Sequence, residues 1–124
     1  MASEFTSRPK AFWTWIPSLA PLGLFLGVLS LAAHVRLGLG RWPVPMIENY
    51  DTKGYHYHEM LVFLLGIGAL YVAGPLWAIL VAIPKLRLSP KRHLLQLAVF
   101  ISGFVLIFLA AKLDPTTFTE WFLD

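Results

Sequence analysis

Three long stretches of this chain carry no Asp, Glu, Lys or Arg. They are Ile16 to Val35 (IPSLAPLGLFLGVLSLAAHV), Met60 to Ile83 (MLVFLLGIGALYVAGPLWAILVAI) and Leu94 to Ala111 (LLQLAVFISGFVLIFLAA). At 1.5 Å of rise per residue, about 20 residues cross the hydrocarbon core of a bilayer as a helix. A strand there would leave its backbone groups unpaired, so each run is expected to be helical. The rest of the composition agrees: 57% of residues are hydrophobic and 14% charged, and the mean hydropathy is +0.66. A water-soluble domain carries nearer about 25% charged residues. The expected fold is an all-α integral membrane protein, a single domain over 1–124. Spans are expected at about 16–35, 60–83 and 94–112, with an outer loop 36–59, an inner basic loop 84–93 and an outer C-terminal segment 113–124. The first run is read as retained rather than as a cleaved signal: it is long for a signal core, and Glu4, Trp13 and Trp15 precede it.

Charge sets the expected orientation. Of the ten basic residues, six (Arg8, Lys10, Lys85, Arg87, Lys91 and Arg92) fall on the side of the N-terminus and the 84–93 loop. Arg36, Arg41, Lys53 and Lys112 fall on the other side, with most of the acids. The positive-inside rule then places the N-terminus in the cytoplasm and the C-terminus outside a cell inner membrane. The net charge of +3 belongs to this topology, not to nucleic-acid binding. Trp42, Tyr50, Tyr55, Tyr57 and Trp121 would mark the outer interface. Trp77, inside the second run, is expected to pack against a neighbour or lipid. Pro75 removes a backbone hydrogen bond from the second helix and predicts a kink near Ala73 and Gly74.

Small residues recur at helical spacing. Gly23, Gly27 and Ser30 lie on the first helix, Gly74 and Ala78 on the second, Ala98 and Ser102 on the third. Such stripes let helices approach closely, within the bundle or against another membrane subunit.

The candidate chemistry gathers at the outer end. His34 closes the first run; Glu48, Asp51, His56, His58 and Glu59 precede the second; Asp114 and Glu120 follow the third. His56, His58 and Glu59 are candidate metal ligands if the segment is extended, because side chains two apart then share a face. On a helix they would diverge. His34 and His58 are candidate axial ligands for a haem or chlorin. No cysteine is present, which excludes disulfides, thiolate zinc sites, iron–sulfur clusters and thiol nucleophiles. The sequence HEMLV has Val62 where HExxH needs its second histidine, and there is no Gly-rich phosphate loop, so catalysis is not the expected role. After Pro115, Thr117 and Glu120 match a T-x-x-E capping box. Phe118, Trp121 and Phe122 share the face of a short interfacial helix. Trp42, Glu48, Asp114 and Trp121, with that box, would form an outer cap.

The functional expectation is a small non-catalytic accessory or scaffolding subunit of a larger membrane complex, of an electron-transfer or photosynthetic kind. Its partners would be the lipid bilayer and other membrane subunits. The competing expectation is a binder of metal, haem or chlorin through the outer-face histidines. No specific cofactor is indicated.

Overall fold

The computed structural model describes residues 12–46, 50, 52–85 and 87–124. Among these every regular element is helical: α1 (Ile16–Leu39), α2 (Lys53–Ala82), α3 (Pro90–Lys112) and the short α4 (Phe118–Leu123). The first three are long and apolar enough to cross a membrane.

Helix boundaries follow capping chemistry more than hydropathy. α1 runs past His34 to Gly40, whose φ of 72° is the left-handed conformation that ends helices and that glycine adopts without steric cost. α2 starts about two turns before the apolar run, because Thr52 sits in extended conformation and its hydroxyl accepts the Tyr55 N–H at 3.2 Å. His56, His58 and Glu59 are therefore helical. α3 likewise begins early, at Pro90, where the missing N–H costs nothing in a first turn.

Where Pro75 predicts a kink near Ala73 and Gly74, the structure has a widened turn just upstream. Over Gly68–Val72 the helix widens, and the Ala73 N–H reaches back five residues to the Gly68 carbonyl. Pro75 explains the position. It offers no N–H to the Tyr71 carbonyl, and its ring crowds that group, so the preceding turn absorbs the extra residue.

α1 is the centre of the bundle. α2 and α3 each pack on it and scarcely meet one another. The closest approach is between α1 and α3: a Cβ on Gly103 would stand 2.6 Å from the Pro21 Cβ and 2.9 Å from the Leu22 nitrogen. Only glycine fits there. Between α1 and α2, Gly27 faces Leu65 and Val62, at 3.2 and 3.5 Å from its would-be Cβ. The buried apolar cluster lies toward one end, where Leu31 and Val35 of α1 meet Tyr55 and Val62 of α2 and Phe118 of α4. This is the cap end; the turn between α2 and α3 marks the opposite, loop end. At the cap end Phe118 packs on Trp42 with ring centroids 6.5 Å apart, and Trp121 on Tyr55 at 6.1 Å. Trp42, from the loop after α1, and the C-terminal segment thus close over the helix ends together.

Candidate functional site

Two histidines from different helices meet below the cap. His34 Nδ1 stands 2.9 Å from His58 Nδ1, with ring centroids 5.2 Å apart. On its other side His58 Nε2 lies 2.7 Å from Ser30 Oγ, and that hydroxyl donates to the Gly27 carbonyl at 2.9 Å. The directions of these bonds assign the protons. Since the Ser30 hydrogen is spent on Gly27, His58 Nε2 is the donor to Ser30. A neutral His58 then presents its Nδ1 as an acceptor, and His34 donates from Nδ1. The chain His34 → His58 → Ser30 → Gly27 is complete with both rings neutral. Tyr50 stacks edge-on against His34, 6.1 Å between centroids. Gly54 leaves room for the far side of the ring: its would-be Cβ lies 3.7 Å from Cε1 and 4.0 Å from Nε2.

This arrangement bears on each candidate ligand set. His56, His58 and Glu59 do not converge. His56 Nδ1 pairs with Glu59 Oε2 at 3.6 Å, and Tyr55 donates to Glu59 Oε1 at 3.3 Å, while His58 turns to the other face toward α1. The early start of α2 is the cause, since helical spacing separates residues two apart by about 200°. Among the described residues, no three of His, Cys, Asp and Glu come together as a metal set. His34 and His58 do face each other, but their direct hydrogen bond leaves no gap for a macrocycle between the rings.

The cap is built differently from the expected capping box. Thr117 is left-handed (φ 62°) and its side chain caps nothing; its hydroxyl donates to the Thr116 carbonyl at 2.6 Å. Asp114 takes the capping role. Its carboxylate accepts the Thr116 N–H and the Thr119 N–H, both at 2.8 Å, and the Thr116 hydroxyl. Burial alone would raise the pKa of this carboxyl, but the hydrogen bonds from Thr116 and Thr119 outweigh it and hold the pKa at about 2, against an ordinary 3.8. Glu120 is exposed on α4. Arg36 lies over Trp42 at 5.9 Å, so the loop tryptophan joins a cation to the aromatic cap. Glu48 and Asp51 lie outside the described residues.

A second polar cluster, at the loop end, is not legible as a motif. Gln96 of α3 is buried at 1% exposure. Its Oε1 accepts from Trp77 Nε1 of α2 and from His93 Nδ1, each at 3.1 Å; its Nε2 donates to the Thr14 carbonyl at 3.2 Å. His93 Nε2 accepts the Leu88 N–H at 3.0 Å, which fixes its proton on Nδ1 and makes the ring neutral in this network. One amide thereby joins three segments of the chain. The signal was Gln96 itself, the strongly polar residue in an apolar run, where an unpaired amide would cost several kcal/mol.

The small residues divide. Gly27 and Ser30 sit at the α1–α2 contact. Gly23 and Gly74 have nothing within 4 Å of a would-be Cβ. Gly74 and Ala78 border a cleft between α2 and α3. Ala98 and Ser102 face outward, the Ser102 hydroxyl returning to the Ala98 carbonyl at 2.7 Å. The tight α1–α3 contact uses Gly103 instead.

No family model, curated protein or solved structure matches the chain.

Proposed function

We propose that this chain is a small integral membrane subunit, non-catalytic, that serves as a scaffold within a larger membrane assembly. One observation carries the reading: only 11% of the spanning window of α2, and 11% of that of α3, is buried within the chain. Away from α1 both spans expose many large apolar side chains, among them Phe63, Leu70 and Ile79 of α2 and Leu95, Ile101 and Phe108 of α3. Such surface requires lipid or other membrane helices as its surroundings. The cap supports the same reading, because it gives the bundle a formed polar end without placing ionisable groups in the centre of a span. The charge distribution supports a cytoplasmic N-terminus and 84–93 loop, and an outward-facing cap.

The test is extraction of the full chain from its native membranes in mild detergent, followed by native gel electrophoresis and mass spectrometry of the resolved bands. The reading predicts migration with a defined larger assembly. Quantitative migration as a lone 14.0 kDa chain in its micelle would overturn the subunit role.

A further inference from the structure

Because α2 and α3 both lean on α1 and hardly touch each other, a cleft separates them toward the loop end. Its volume is about 310 Å³, and it is lined by Ser18, Gly74, Trp77, Gln96, Leu97 and Phe100. That size and an apolar, aromatic lining with few polar groups are the attributes of small-molecule sites. Gly74 leaves the wall open, since a Cβ there would meet no atom within 4 Å.

One polar atom in the lining has no partner. Ser18 Oγ is buried, at 1% exposure, without a hydrogen bond among the described residues. A helical serine ordinarily donates to the carbonyl one turn earlier. Here that carbonyl belongs to Thr14; it receives the Gln96 amide at 3.2 Å and no bond from Ser18. Gln96 cannot serve Ser18 in its place: its Oε1 is taken by Trp77 and His93, and its Nε2 by Thr14. The cleft therefore presents one hydrogen-bond donor in apolar surroundings. A water molecule is a poor complement, because it needs two to four polar partners.

We propose that this cleft binds a lipid-soluble ligand with a carbonyl oxygen on a flat ring, of the quinone class. The carbonyl accepts from Ser18, the ring lies among Trp77 and Phe100, and an apolar tail leaves past exposed Ala78 and Leu97. This rests on the membrane reading, since the cleft then opens sideways into the acyl region. An ester carbonyl of a phospholipid shares the acceptor chemistry but lacks the ring.

The experiment titrates the purified full chain in detergent micelles with a short-tailed benzoquinone, reading saturable quenching of tryptophan fluorescence. Retention in micelles with unchanged circular dichroism keeps the membrane reading separate from the binding result. The proposal predicts one saturable site, weakened about tenfold in Ser18→Ala by loss of one hydrogen bond, and abolished in Gly74→Leu, whose Cβ has open space and whose side chain takes up cleft volume, with the helical signal of the chain unchanged. Quenching without saturation, or saturable binding that both variants leave unchanged, overturns it. So does native mass spectrometry showing a phospholipid in the cleft that excess quinone does not displace, or a water as the sole partner of Ser18.

Discussion

At the scale of single residues, the hydrogen bonds of Asp114 and His34 make claims that can be measured. Asp114 holds two backbone N–H groups at the start of α4, at 2.8 Å each. Asp114→Ala removes both and should destabilise the cap by about 0.5–2 kcal/mol. Asp114→Asn should recover only part, because one amide oxygen replaces two carboxylate oxygens. The pH dependence has a definite sign. The folded pKa, about 2, is below the ordinary 3.8, so the stabilisation is full above about 3.8 and fades as pH falls through about 2. Tryptophan fluorescence of the cap, followed from pH 5 to pH 2, should show a transition in that interval which Asp114→Ala lacks. The histidine pair makes a different claim. Nitrogen NMR of the labelled chain at neutral pH should find the proton on Nδ1 of His34 and on Nε2 of His58; the reverse tautomers would contradict the assigned chain of donors. Neither feature was readable in full beforehand. The T-x-x-E pattern at Thr117 is genuine as sequence, but Pro115 and a left-handed Thr117 hand the cap to Asp114. The pairing of His34 with His58 depends on the register between two helices, which no local pattern encodes.

At the scale of elements, the helices themselves were legible and their ends less so. Runs free of charge locate α1, α2 and α3. Thr52, Gly40 and Pro90 set where they begin and stop, and Thr52 so carries His56, His58 and Glu59 into a helix instead of a loop. Pro75 signalled an irregularity, though the widened turn falls before it because the crowded carbonyl belongs to Tyr71. Close contact also depends on which small residue faces a neighbour. Gly103 stands against Pro21 and Leu22, whereas Gly23 faces open space. Gly103→Leu should therefore disrupt α1–α3 packing, by about 1–3 kcal/mol or more for an overpacked site, and lower the thermal midpoint in micelles. Gly23→Leu should leave it unchanged. Equal loss in both would show that the stripe on α1, not the Gly103 contact, governs the packing. Trp77 and Gln96 illustrate the remaining gap: each was visible as an oddity of its own run, and only the approach of α2, α3 and the turn at Thr14 makes them partners.

At the scale of the whole molecule, the architecture is a central helix with two outer helices leaning on it, a cap of aromatic rings at one end and an amide-centred knot at the other. The cap end gathers the buried cluster around Leu31, Val35 and Phe118; the loop end is held chiefly by hydrogen bonds to Gln96. A soluble protein would not leave α2 and α3 so bare, and that exposure is what supports the proposed scaffold role. The most direct test uses the absence of native cysteine. Single variants Lys85→Cys, in the turn between α2 and α3, and Thr117→Cys, exposed in the cap, are treated in intact cells with a membrane-impermeant maleimide. Three membrane crossings place the two positions on opposite sides, and with the proposed cytoplasmic N-terminus Thr117→Cys reacts from outside and Lys85→Cys only after permeabilisation. Reaction of both from the same side, or recovery of the chain in the soluble fraction, would contradict the account.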